Sequence, residues 1–193
     1  MGSDSLYWIA RNLAKKCYRL FVPRPGDKER LAFYRQFISP GDLVFDIGAN
    51  MGNRTRIFLQ LGARVVAVEP QHNCCMSLRS EFGNRIHLFE GGAGREVGLK
   101  KFYANESTVL SSFSEEWIET MKGTGRSSDE AWSPPQELQM TTLDQLIKEH
   151  GRPKFIKIDV EGFELEVLSG LTEPAEMISF EYTVPESLEN VVK

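Results

Sequence analysis

The sequence predicts a doubly wound α/β domain, a parallel sheet with helices on both faces. Three observations carry that reading. From residue 43 onward, short apolar runs alternate with helical stretches. The runs read apolar throughout rather than at every second position, as strands covered on both faces do. Gly62, Gly83, Gly151 and Gly170 stand just past the helical stretches, where a left-handed residue closes a last turn.

In chain order, Leu6, Ile9, Leu13, Cys17 and Leu20 recur at spacings of three and four among Arg11, Lys15, Lys16 and Arg19, which predicts an amphipathic helix. Packing of its apolar stripe on the domain or on a neighbouring subunit is favoured over docking on a membrane surface. Pro23-Arg24-Pro25-Gly26 breaks this helix, and a second is expected over Asp27 to Ile38, ending at the Pro40-Gly41-Asp42 turn. Strands are then expected at 43–47, 64–68, 86–89, 155–158 and 177–182. Helices are expected at 53–61, 71–82, 143–150 and 163–168. Residues 121–139, with Gly123, Gly125, Ser127, Ser128, Pro134 and Pro135, show no period and are expected to form a long variable loop. Trp117 and Trp132 fit a pocket wall or ordinary packing equally well. The chain divides into an N-terminal helical extension, 1–40, and a nucleoside-binding domain, 41–193.

Length and composition narrow the class. At 193 residues, with 41% hydrophobic and 26% charged, the chain can bury one core and is no disordered or fibrous sequence. No run approaches the roughly 18 apolar residues of a membrane span, and no signal-peptide core opens the chain. The expected location is cytoplasmic. Residues 1–30 carry seven Lys/Arg against three Asp/Glu, so the remaining body is acidic, which argues against nucleic-acid binding. Cys17, Cys74 and Cys75 make no disulfide framework, and His72 with the latter two matches no zinc spacing. No metal is expected.

The first expected strand ends in Asp46-Ile47-Gly48-Ala49-Asn50-Met51-Gly52-Asn53 and enters a helix. Glycines there allow a tight turn and close approach to a ligand, and Glu69, 21 residues after Gly48, stands where a carboxylate accepts ribose hydroxyls. Strand, glycine turn, helix, strand and acid in that order form a Rossmann-like nucleoside half-site. The dinucleotide fingerprint is absent, since Asn50 occupies its second glycine position. Asp46 would repel a pyrophosphate and favour a cationic sulfonium. Both points favour S-adenosyl-L-methionine over NAD. A second constellation, Phe155 to Gly162, brings Lys157, Asp159 and Glu161 to the same edge of the sheet, with Glu181 within reach on the fifth strand. Lys157, inside an apolar strand, needs Asp46 or Asp159 as a partner.

Val44 to Gly52, Val66-Ala67-Val68-Glu69-Pro70, Thr142-Leu143-Asp144 and above all Phe155 to Gly170 (Lys157-Ile158-Asp159-Val160-Glu161-Gly162 and the helix after it) resemble the FkbM family of S-adenosylmethionine-dependent methyltransferases. Ser107-Thr108 and Ser111-Ser112 resemble that family's serine-rich segment. The resemblance spans roughly Asp27 to Glu181 and implies a class I methyltransferase fold with strand order 3-2-1-4-5 and, commonly, O-methylation of sugars, lipids or natural products. It places Asp46, Gly48, Asn50 and Gly52 around the methionine moiety, Glu69 on the ribose, Gly92 and Ala93 near the adenine, and Asp159 and Glu161 on the acceptor side. Asp159 is the first candidate for a general base and Glu161 its rival; binding Lys157 or capping the next helix is the structural alternative for both. A nicotinamide-dependent oxidoreductase and a non-catalytic Rossmann-like module remain as alternatives. The expected partner is a small-molecule or glycan acceptor. Such folds continue past the fifth strand, so the sequence also predicts either a truncated sheet lacking two strands or a homo-oligomer that covers the open edge.

Overall fold

The computed structural model describes residues 24–105, 111–114, 117–119 and 132–181. The expected helix over Leu6 to Leu20 lies outside them, as do Ser107, Thr108 and positions 121–131. The elements are α1 (Asp27–Tyr34), β1 (Leu43–Ile47), α2 (Asn53–Gln60), β2 (Arg64–Glu69), α3 (His72–Phe82), β3 (Ile86–Glu90), β4 (Gly92–Ala93), β5 (Gly98–Phe102), β6 (Gln136–Thr141), α4 (Leu143–His150), β7 (Phe155–Ile158), α5 (Glu164–Leu168) and β8 (Ile178–Phe180), with a 3₁₀ turn at Gly83–Arg85.

Five strands form a parallel sheet in the order β3-β2-β1-β7-β8, the α/β Rossmann-like arrangement expected, and a second sheet has the order β4-β6-β5. Every residue of β1 and β7 is buried, whereas the outer strands β3 and β8 are only partly so. That gradient explains why the central strands read as continuous apolar runs. Alternation sorts their side chains between two cores. Val44, Val65 and Ala67 join Ile57, Phe58, Leu78 and Phe82 beneath α2 and α3. Leu43, Phe45, Ile47, Ile156 and Ile158 face Leu143, Leu146, Phe163 and Val167 on the other side.

Helix α1, counted with the N-terminal extension in the sequence, packs into the first core. The Tyr34 ring meets Phe58 edge-on at 4.9 Å and Phe155 at 5.7 Å. Asp27 and Arg56, both buried, pair at 2.5 Å and tie α1 to α2. The helix stops at Tyr34 rather than Ile38, because Gln36 and Phe37 bond back three residues and tighten the last turn. Gly62, Gly83 and Gly151 have positive φ as expected, but Gly170 does not. Gly170 is required by close packing instead, since a Cβ there would overlap the Gly94 carbonyl oxygen.

The smaller sheet departs most from expectation. Residues 136–139, assigned to the loop, form most of β6, which pairs parallel with β4 and antiparallel with β5. Four of the five residues of β5 are exposed. A solvated strand has no apolar run to betray it. Among the described residues β8 pairs only with β7; positions 182–193 lie outside them. No helix among the described residues is long and apolar enough to cross a membrane.

Candidate active site at the carboxyl end of the sheet

Order reversal at β1 and β7 opens a crevice beyond their carboxyl ends, the usual ligand position in such sheets. There a cleft of about 220 Å³ is lined by Gly48, Ala49, Asn50, Glu69, Lys157, Asp159 and Glu161, together with Asn53, Arg54, Pro70, Gln71 and Ser111. Five of the expected site residues thus share one cavity, Gly48, Asn50, Glu69, Asp159 and Glu161; Asp46 is fully buried behind Lys157 and does not line it.

The β1 turn is held by its own hydrogen bonds. The N–H groups of Gly48 and Ala49 donate to the Val68 carbonyl at 2.9 and 3.1 Å, that of Asn50 to Glu69 Oε2 at 2.7 Å, that of Met51 to Asn50 Oδ1 at 2.7 Å, and that of Gly52 to the Ala49 carbonyl at 2.9 Å. All five donors are occupied, so this turn is no phosphate cradle of the dinucleotide kind. Left-handed φ angles at Gly48, Asn50 and Gly52 make the turn. Gly48 is also pressed against the Asp159 carbonyl. Gly52 does not line the cleft; a Cβ there would run into Phe82 and Leu78, so core packing demands that glycine.

Glu69 is 2% exposed and accepts from two backbone N–H groups, Asn50 on one oxygen and Gln71 at 2.8 Å on the other. Each oxygen keeps a second lone pair for a ligand. Burial pushes its carboxyl up to about 7, against the pull of those two bonds. Asp46, fully buried, accepts from Thr55 Oγ1 at 2.5 Å and lies 3.8 Å from Lys157 Nζ. Burial raises its pKa, with Lys157 and Thr55 opposing. Lys157 stands opposite Asp46 in the β1–β7 register and donates to Asp159 at 2.8 Å, so it serves both expected partners.

The acidic edge divides by environment. Burial works against the Asp159 charge, but hydrogen bonds from Glu181 and Lys157 hold its carboxyl below the usual range. Glu181 is pushed up to about 7 by the proton it shares with Asp159 and by burial. Glu161 is pushed up to about 8 by burial and by the charges of Asp159, Glu181 and Glu164. Oxygens of Asp159, Glu161 and Glu181 all lie within 4.8 Å of one another. No side chain among the described residues caps α5; Glu164 Oε1 instead braces the turn before it, accepting from the N–H groups of Val160 at 3.1 Å and Gly162 at 3.4 Å.

Beside the cleft lies a narrower apolar pocket walled by Gly92, Ala93, Phe102, Phe113, Val160 and Phe163. Gly92 has no room for a side chain, because a Cβ would touch the Phe113 ring. Ser111 lines both cavities. Arg54 and Gln71 escape sequence reasoning, because nothing in their local pattern distinguishes them from surface residues; Ser111 stood out in the sequence only as part of the serine-rich segment, with no role attached. Thr142 and Asp144 prove structural: Thr142 caps α4 through the Gln145 N–H, and Asp144 accepts from the N–H and hydroxyl of Thr172. Trp117 packs on Gly162. The thiols of Cys74 and Cys75 are buried in α3 away from His72, whose ring contacts Glu90 at 2.7 Å.

A Rossmann-like sheet thus carries, at its switch point, a glycine turn whose N–H groups are already bonded and, at the end of β2, a buried carboxylate. The chain belongs to the methyltransferase FkbM domain family, whose profile matches residues 46–188. It is similar to the hexuronic acid methyltransferase AglP of Haloferax volcanii, at 26% identity over 80% of this chain and 60% of that protein. It is also similar to the 2-O-methyltransferase NoeI of Sinorhizobium fredii, at 28% identity over 79% of this chain and 68% of that one. A shorter stretch, 28% of this chain, is 47% identical to 19% of the ribosomal RNA small subunit methyltransferase A of Anaeromyxobacter dehalogenans. The matched region thus spans between about a fifth and about two thirds of these relatives' own lengths.

Proposed function

We propose that the protein is an S-adenosyl-L-methionine-dependent O-methyltransferase acting on a hydroxyl of a sugar, lipid or natural product. The supporting observation is the pairing, within one cleft, of Glu69 with a raised carboxyl at the end of β2 and Glu161 with a raised carboxyl after β7. The names of AglP and NoeI, a hexuronic acid methyltransferase and a 2-O-methyltransferase, support a sugar acceptor.

The residues fit the cofactor. Free lone pairs on both Glu69 oxygens suit a ribose diol, and Asp46 and Asp159 favour a cationic methionine end; the apolar pocket at Gly92 and Ala93, about 30 Å³, offers an adenine ring a wall to pack on rather than a cavity to enter. When bound, S-adenosylmethionine supplies an electrophilic methyl group, whose transfer to an acceptor oxygen leaves a neutral thioether. The protein's part is to align the acceptor hydroxyl and receive its proton. Alignment contributes on the order of 7–11 kcal/mol, against about 10²- to 10⁴-fold in rate from a positioned base. Glu161 takes precedence over Asp159 as that base, because Asp159 is held in its ionised form by Lys157 and Glu181 while Glu161 keeps a high proton affinity near neutral pH.

Calorimetry with S-adenosylhomocysteine and, separately, NADH tests the reading. Binding of the first and not the second is expected; binding of NADH alone would replace the methyltransferase with an oxidoreductase. A methyl-transfer screen against sugars, lipids and polyketides then identifies the acceptor.

A further inference from the structure

Glu161 has a left-handed backbone, φ 53°, although it is neither glycine nor asparagine. Such a conformation costs on the order of 1–2 kcal/mol and persists only where surroundings enforce it. The enforcing contact comes from a distant part of the chain. Ser112, 1% exposed, donates its hydroxyl to the Glu161 carbonyl at 2.7 Å. Ser112 is itself fixed, exchanging both backbone hydrogen bonds with Tyr103 at 3.0 and 3.1 Å, directly after β5. On the far side, the Trp117 ring fills the space above Gly162, whose φ is also positive.

We propose that Ser112 is a positioning residue: by holding the carbonyl of Glu161, its hydroxyl fixes the left-handed turn that directs the Glu161 carboxyl into the cleft. The inference rests on the methyltransferase reading for the role of Glu161, but the geometry of the contact does not depend on it. A carboxyl so held stays among Asp159 after β7, Glu164 of α5 and Glu181 after β8, with Lys157 of β7 and Arg54 of α2 as the cations of the same cleft. Released from Ser112, the turn relaxes toward a right-handed backbone, and the carboxyl moves toward water and away from those neighbours. Its proton affinity then falls.

The test titrates the full-length chain, labelled with ¹³C at the glutamate side-chain carboxyl and saturated with S-adenosylhomocysteine, with Glu161 assigned by its loss in Glu161→Gln. In the unsubstituted chain Glu161, pushed up to about 8 by burial and its acidic neighbours, is expected to titrate well above an ordinary carboxyl. In Ser112→Ala the midpoint falls by about one unit or more, a tenfold change in proton affinity, and Ser112→Thr, which keeps the hydroxyl, restores it. S-adenosylhomocysteine affinity stays within about twofold. An unchanged Glu161 midpoint in Ser112→Ala, with only a lower melting temperature, would make Ser112 a packing residue and overturn the proposal. A parallel loss of ligand affinity with the midpoint unmoved would do the same, making it a wall of the apolar pocket. Should Ser112→Ala not fold, Ser112→Cys, similar in volume and a weak donor, is read in its place. Failure of the unsubstituted chain to bind S-adenosylhomocysteine would sink the methyltransferase reading, whereas the titration in ligand-free protein would still decide the role of Ser112.

Discussion

A Cβ atom on Gly48 would overlap the carbonyl oxygen of Asp159, so the turn after β1 and the turn after β7 meet backbone to backbone. The Asp159 N–H donates to the Ile47 carbonyl at 3.0 Å across the same contact. Glycine is therefore needed at position 48 first to join the two halves of the site and only second to admit a ligand.

Gly48→Ala meets both that overlap and a φ of 79°. It is expected to lose about 1–3 kcal/mol of stability and to bind S-adenosylhomocysteine at least tenfold more weakly. Thermal unfolding and calorimetry check the two effects; wild-type affinity in a destabilised variant would separate the junction from the ligand site.

Glu69 confers a pH dependence of known sign. Its folded carboxyl titrates at about 7 against an ordinary 4.5, so the folded chain binds the extra proton between those values. Stability without ligand is therefore greatest below about 4.5 with respect to this group and falls as pH rises to 7, by on the order of 3 kcal/mol. Glu69→Gln should flatten that slope in urea unfolding measured across the interval, and should abolish the rise in melting temperature given by S-adenosylhomocysteine.

The Asp27–Arg56 pair acts in the opposite direction. Burial opposes the Asp27 charge, but hydrogen bonds from Arg56 and the Arg24 backbone hold its carboxyl below 3.8. Its stabilisation is thus complete above the unfolded value and is lost as pH falls through the folded one. Arg56→Met, which leaves the buried Asp27 carboxylate with only the Arg24 N–H and the half-exposed Arg30 at 3.7 Å, should cost about 3 kcal/mol at neutral pH, and adding Asp27→Leu should recover part of it. Denaturant titration of the single and double variants measures both.

With an acceptor in hand, the rate of methyl transfer should climb with pH through about 8 as Glu161 loses its proton. Glu161→Gln should remove the climb and lower the rate by about 10²-fold or more. A rate already level from pH 5 upward would move the base to Asp159, whose carboxyl is held low.

Burial pushes the Cys74 thiol up to about 11 and the Cys75 thiol up to about 12, the latter beside the Glu69 carbonyl at 3.1 Å. In a Cys17→Ser variant, no thiol should react with iodoacetamide at pH 8 until denaturant is added, whereupon two should.

The central sheet was legible because Leu43 to Ile47, Arg64 to Val68 and Phe155 to Ile158 bury almost every side chain, which leaves a mostly apolar signature. Asp46 and Lys157 interrupt those runs, and the interruption itself pointed to a site. β5 and β6 were hidden because Lys100, Lys101, Glu137 and Gln139 are exposed: 98–102 was given no element, and 136–139 was assigned to the loop. The choice between Asp159 and Glu161 was equally hidden, since it depends on Glu181 and Lys157 reaching Asp159 first. Gly52 carries the same letter as Gly48 in the motif, and only packing against Phe82 separates their duties.

The left-handed backbone of Glu161 sets this position against the rest of the fold. Glycine or asparagine there would relieve the strain, so a chain selected for durability alone would drift toward a sturdier protein without a carboxyl in the cleft. On the role proposed for Glu161, a glutamate at this position marks stability surrendered for chemistry. Libraries screened by heat resistance should therefore enrich inactive variants at residue 161, and those screened by turnover should restore the acid.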